Sequence, residues 1–162
     1  MHPTVRAFKD RDQEAVTALS LRAWAPVFAS LVDVLGESGG YAQQHPDWRI
    51  DQRQAVEAAC STENIRVWVA EIDMVVVGFV AVQLDHPEAS IGEIHMMAVD
   101  PDYQRAGVGS MLTSFALNWI KDNGMAVAMV ETGGDPGHAP ARRTYEQAGF
   151  VQLPIARYFK KL

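Results

Sequence analysis

The spacing of apolar residues changes character at Asn64. Before it the period is helical. In "DQEAVTALSLRAW", Ala15, Val16, Leu19 and Trp24 share one helical face, with Asp12 as the expected N-cap. Pro26 interrupts the pattern, so a kink or restart is expected before "VFASLVDVL". The turn-rich "GESGGYAQQHPDWRID" reads as a loop with a short helical piece, and "DQRQAVEAAC" as a helix ending near Cys60. After Asn64, "IRVWVAEI", "VVVGFVAVQL" and "IGEIHMMAV" are β-rich runs, separated by Asp73-Met74 and by "DHPEAS". The first two predict a hairpin, with the third antiparallel beside them.

The helical period then returns. In "GSMLTSFALNWIKDNG" and the residue before it, Val108, Met111, Leu112, Phe115, Trp119 and Ile120 line one face, and Gly124 ends the helix. "MAVAMVET" reads as a strand, "APARRTYEQAG" as a helix, and "FVQLP" and "ARYFKK" as short final strands. With a weak first strand over residues 4 to 8, the order is β-α-α-β-β-β-α-β-α-β, mixed α and β around one sheet. There are no repeats and no low-complexity tract.

The junction "AVDPDYQRAGVGS" stands apart from this scheme. A helix N-terminus exposes unpaired N–H groups and the positive end of the dipole, and usually carries an acid or a hydroxyl residue. Residues 104 to 109 contain neither, and Arg105 is a cation in an unfavourable place unless an anion is present. Gly107 and Gly109 let backbone amides converge and a ligand approach closely. This describes a phosphate cradle. No Gly-Lys-Ser/Thr follows, so it is not a Walker loop, and the third glycine of a dinucleotide fingerprint is missing.

Bulk properties narrow the classes. A length of 162 residues suits one domain with a proper core. The net charge of −6, without a basic stripe, argues against nucleic acid and tilts gently towards a cationic amine substrate. Cys60, the one cysteine, excludes an internal disulfide and reads as a buried, inert thiol. The histidines at 2, 45, 86, 95 and 138 lack metal-ligand spacing. The charged N-terminus is unlike a signal peptide, and no apolar run is read as approaching the ~20 residues of a membrane span. The expectation is a cytoplasmic, single-domain protein over residues 1–162, with no membrane or nucleic-acid partner. Exposed strand edges leave room for a homodimer.

"AVDPDYQRAGVGSMLTSFAL" resembles the acyl-CoA-binding segment of the GNAT superfamily of N-acyltransferases, whose core is Q/R-x-x-G-x-G/A: here Gln104, Gly107 and Gly109. A second landmark, A-x-x-x-Y-E-x-x-G-F, matches Ala141, Tyr145, Glu146, Gly149 and Phe150. The resemblance covers residues 66 to 160 well and the helices of residues 12 to 60 only by position. It implies an α+β fold: a mostly antiparallel, splayed sheet flanked by helices, with acyl-CoA held where the fourth and fifth strands part. The implied cofactor contacts are the backbone of Met97 and Val99 for the pantetheine arm. The amides of Gln104, Arg105, Ala106, Gly107, Val108, Gly109 and Ser110 would hold the pyrophosphate. His138 stands where members often carry Asn, and "TGGDPG" before it reads as longer and looser than a minimal turn.

The implied activity is transfer of an acetyl group from acetyl-CoA to a primary amine in a ternary complex, with no metal. Tyr145 holds the family's general-acid position, and a phenol with a pKa of about 10 is reliably protonated at neutral pH. Something must also take the amine's proton. Glu93 is the candidate base, His95 ranks below it, and bulk water serves in many members. Glu93, His95 and Met97 share a face if no bulge intervenes. Trp24, Tyr41 and Trp48 fall in the region of the acceptor site. The competing readings are a non-catalytic acyl-CoA-binding domain, which has no need of Tyr145, and acetylation of a protein N-terminus or lysine. In a third, the glycine turn is incidental to a structural or interaction protein.

Overall fold

The computed structural model describes residues 2–86 and 90–162, with the backbone alone at 85 and 86. The connector expected at "DHPEAS" lies mostly outside the described residues. Strand β1 (Thr4–Ala7) is followed by helices α1 (Gln13–Leu35), α2 (Tyr41–Gln44) and α3 (Trp48–Ser61). Strands β2 (Ile65–Ile72), β3 (Val75–His86) and β4 (Ile91–Val99) come next, then α4 (Val108–Asp122), β5 (Val127–Val130) and α5 (Ala139–Gln147). The sheet runs β1-β2-β3-β4-β5; its first three pairings are antiparallel and β4–β5 is parallel.

Each face of the sheet carries its own core. Val80, Val82 and Ile94 meet Val108, Leu112, Ala116 and Ile120 of α4 on one side. Val69, Phe79 and Ala98 meet Val16 and Leu19 of α1 and Val56 of α3 on the other. The expected face of α4 is the one buried, because its 3.6-residue period aligns those positions. It lies close to the sheet where glycine leaves room. A Cβ at Gly92 would stand 2.7 Å from Ile120 Cγ2, and one at Gly78 3.0 Å from the Ala98 carbonyl oxygen.

The fold corrects several expectations. Helix α1 runs unbroken through Pro26, which is exposed; its missing N–H removes a single backbone bond inside a 23-residue helix. Asp12 precedes α1 but makes no cap bond to it. Its carboxylate instead accepts from Arg6 (2.6 and 2.9 Å) and from the Lys9 amide (2.8 Å), while Arg6 also reaches Glu71 on β2 at 2.7 Å. The stretch Asp10–Leu35 is long and apolar enough by composition to cross a membrane, with a mean hydropathy of 1.5, where none was expected. Val16 and Leu19 give part of that apolar content a packing role against the sheet. Beyond Phe150 no strand forms among the described residues, so both expected final strands are absent. Pro154 lacks the donor a ladder needs, and Val151, Leu153, Ile155 and Tyr158 stand exposed. The tail is tied instead by the Lys161 amide to the Ser38 carbonyl (2.8 Å) and by Arg157 to Glu131 (3.4 Å).

Candidate active site

The parallel pairing of β4 and β5 runs from Ile91–Val127 to Ile94–Val130 and stops. Strand β4 continues to Val99, still paired with β3 on its other side. The two strands therefore run in the same direction but part, and among the described residues no strand pairs with β4 on that edge from residue 95 to 99. A bulge marks the parting point. Ile94 pairs with Val82 and Met96 with Ala81, which leaves His95 without a partner in the register. The condition on a shared face for Glu93, His95 and Met97 thus fails. The extra residue sends Met97 to the α4 side, where its sulfur accepts from Thr113 Oγ1 at 3.6 Å, and Met96 to the α1 side. Glu93, half-buried, lies in the last paired stretch, opposite Gln83 and Met129. His95 is exposed.

The glycine turn closes one end of this opening. After β4, the turn Pro101–Tyr103 is capped by the Asp100 carboxylate, which accepts from the Asp102 amide at 3.0 Å. Arg22 of α1 grips the same turn through Asp100 (2.8 and 3.0 Å) and Asp102 (2.8 Å). Gln104 Nε2 donates back to the Val99 carbonyl at 3.1 Å. Arg105 and Gly107 then both take left-handed backbone, at φ of 62° and 83°. Such geometry is rare for a residue with a side chain and turns successive amides towards one concave point. Gly107 is the N-cap of α4, and no side chain caps the helix. The amides of Val108, Gly109 and Ser110 thus stand at an uncapped, positive helix end. Residues 104 to 110, the expected anion cradle, make the turn into α4 and its first residues.

Tyr145 lies on α5 with 8% of its surface exposed and its ring edge-on to Phe150, centroids 5.8 Å apart. Burial pushes its hydroxyl up to about 12. Among the described residues the hydroxyl has no hydrogen-bond partner, and it is not among the buried orphan atoms, so solvent reaches it.

The wall that continues β5 is tightly built, contrary to the loose loop expected of "TGGDPG". Asp135 Oδ2 accepts from Ser30 Oγ of α1 at 2.7 Å and from the Gly137 amide at 3.1 Å, and Oδ1 is hydrogen-bonded to His138 Nδ1. Arg142 donates to the carbonyls of Gly133 (2.5 Å) and Asp135 (2.8 Å). A side chain at Gly133 would stand 2.4 Å from both Asp135 Oδ1 and His138 Nδ1, and one at Gly137 2.6 Å from Ser30 Cβ. Burial works against the Asp135 charge, but the bonds from Ser30 and His138 more than offset it and hold the carboxyl below the usual Asp range. Ser30, Asp135 and Arg142 were missed in the sequence. Asp-Pro-Gly is a turn signature that places Asp135 as a cap, but Ser30, 105 positions away, leaves no local trace.

On the other side of α1, Phe28 stacks on Trp48 (4.7 Å) and meets His45 edge-on (6.1 Å), while Tyr41 lies 5.3 Å from the His45 ring. His45 pairs with Asp51 at 2.9 Å, and the buried Tyr41 hydroxyl has no partner among the described residues. Trp24 packs instead with the α1–α3 core. Burial alone pushes the Cys60 thiol up to about 11, in keeping with an inert residue. Among the described residues no cluster of three or more His, Cys, Asp or Glu is placed to hold a metal.

The acetyltransferase (GNAT) family profile matches residues 28–150, three quarters of the chain and both landmarks. The chain belongs to that family. A mycothiol acetyltransferase of Thermomonospora curvata is 28% identical over 156 residues, covering 94% of this chain and 45% of that protein. One of Streptomyces coelicolor is 33% identical over 129 residues, covering 80% and 38%. The chain thus spans less than half the length of these curated relatives. Among solved structures, PaiA N-acetyltransferase from Thermoplasma acidophilum with coenzyme A superposes with a TM-score of 0.70 at 14% identity, covering 99% of this chain and 96% of that one. The aminoglycoside acetyltransferase AAC(6')-Iy with a bisubstrate analogue gives 0.68 at 17%, covering 100% and 99%. These likenesses are of fold: a five-stranded, mostly antiparallel sheet flanked by helices.

Proposed function

We propose that the chain is an N-acetyltransferase that moves an acetyl group from acetyl-CoA directly to a primary amine in a ternary complex. The observation that carries this reading is the uncapped α4 N-terminus with Arg105 and Gly107 in left-handed backbone, at the end of a strand whose edge has just opened. The amides of residues 104 to 110 would receive the pyrophosphate, and the open edge at Met97 and Val99 the pantetheine arm. Bound acetyl-CoA supplies the activated thioester. Tyr145, protonated at any physiological pH, donates to the departing sulfur. With a pKa near 12 it acts more by holding a hydrogen bond to developing charge than by completing a proton transfer.

Tyr145 also favours an enzyme over a non-catalytic binder, which has no need of a protonated phenol at this position. A small amine acceptor is supported by the names of the relatives and by the acidic balance of the chain. The test is calorimetric titration with acetyl-CoA, with Gly107→Glu alongside, followed by a screen of small amines and peptide N-termini. Saturable micromolar binding, lost in the variant, is expected. Absence of binding to the wild type would remove the reading, and a screen in which only neutral or peptide acceptors react would overturn the small-cation preference.

A further inference from the structure

We propose that His138, oriented by Asp135, is the group that takes the proton from the acceptor. The inference rests on the acetyltransferase reading and goes beyond it in assigning the base. It moves His138 from the cofactor contact that its sequence position implied to the chemistry itself.

Three observations carry it. The first is place. β4 and β5 run parallel and part after Ile94 and Val130, so the segment from 131 to 138 forms the wall opposite the open β4 edge. That wall is clasped to the second half of α1 through Ser30, which puts His138 between the cofactor side and the helices of the acceptor side. His138 is also the N-cap of α5, the helix that carries Tyr145.

The second is tautomer. The side chain of Asp135 is 6% exposed, and Ser30, Gly137 and His138 supply its donors. An ionised carboxylate accepts only, so Nδ1 of His138 must carry hydrogen, and Nε2 is the nitrogen left to bind a proton. Nε2 has no partner among the described residues and is not a buried orphan atom, so it opens to solvent. The third is that the other candidates lack this support. Glu93 sits in the paired stretch before the opening and has interactions of its own. His95 is exposed at the bulge, with no carboxylate bound to it among the described residues. His45 has Asp51, but both side chains are more than a third exposed.

In the step, the acceptor N–H passes its proton to Nε2, directly or through one water, as the C–N bond forms and the C–S bond breaks. Tyr145 supports the leaving sulfur, and the imidazolium returns its proton to solvent. Asp135 is a positioning residue. It fixes the ring and its tautomer. Among the described residues the charged groups bonded within this loop are Asp135 itself and Arg142, whose guanidinium is spent on the Gly133 and Asp135 carbonyls. From α1 the loop meets the uncharged Ser30 and Val27.

The test has two readouts. Imidazole nitrogen NMR of the free protein reports the tautomer without substrate; His138 should be Nδ1-protonated in the wild type and shift towards Nε2-protonated in Asp135→Asn. A wild-type ring protonated at Nε2 alone, or no change in the variant, overturns the orienting role. Cleavage of acetyl-CoA is then followed at its thioester absorbance against pH, with water and with 1,4-diaminobutane as acceptors. His138→Asn should lose about a hundredfold in turnover and the acid limb of the profile, while Asp135→Asn moves that limb and Ser30→Ala loses less. An intact limb in His138→Asn overturns the proposal. So does cleavage by the wild type with no acid limb, or no cleavage at any pH, in a protein that calorimetry shows to bind acetyl-CoA. Failure of the calorimetry itself is instead failure of the acetyltransferase reading.

Discussion

Tyr145 shows how a single environment sets a chemical role. It is enclosed by α5 and Phe150, and that burial disfavours the anion, so the proton is retained. Tyrosinate absorbance should show one tyrosine titrating near 12 rather than about 10, and Tyr145→Phe should remove that step. The same substitution should lower turnover about a hundredfold with little change in acetyl-CoA affinity, as kcat and calorimetry together would read. Equal turnover would end the acid role. The place of Tyr145 on α5 was legible in the chain because its neighbours form a local motif. The role of Asp135 was not, because the meaning of its carboxylate depends on Ser30, brought from a helix more than a hundred residues earlier.

At the scale of elements, the site depends on how closely α4 lies on the sheet. The glycines of β3 and β4 set that distance. Gly92→Ala places a methyl 2.7 Å from Ile120 Cγ2 and 3.1 Å from Leu84 Cδ2, and Ile120 is itself buried. It should cost about 2 kcal/mol in urea unfolding through overpacking. Gly107→Ala differs in kind. Its Cβ meets nothing within 4 Å, so the penalty is the left-handed backbone alone, about 1 kcal/mol, and the cradle keeps its space. Elements with a strong period were legible here: α4, the three antiparallel strands and α5. The bulge at His95 was not, since it is a mismatch between two strands and neither sequence alone contains it. The final strands were misread because apolar residues at strand-like spacing form a strand only where an edge accepts their hydrogen bonds, and the tail makes none with β5.

Across the whole molecule, charge ties the N-terminal strand to the sheet. Arg6 holds Asp12 and Glu71, and both carboxyls lie below their usual ranges because of its hydrogen bonds. A carboxyl with a depressed folded pKa contributes stability that is full above its ordinary value and is lost as pH falls through the folded one. The urea midpoint should therefore hold down to the ordinary Asp value of 3.8 and fall below it. Asp12→Ala should cost about 2 kcal/mol at neutral pH and flatten that acid slope. A slope unchanged in the variant would place acid sensitivity elsewhere.

Local chemistry written in order along the chain already specified the helical and strand periods, the glycine turn with its misplaced arginine, and the tyrosine motif on α5. Each is a property of residues within a few positions of one another, where backbone preference and side-chain spacing act directly. Folding alone decided where β4 and β5 part, which way Met97 faces, and that the loop before α5 is clasped to α1 through Ser30 and Asp135. Those features arise from register and from contacts between distant segments, and they take their energy from surfaces that meet only once the sheet has formed.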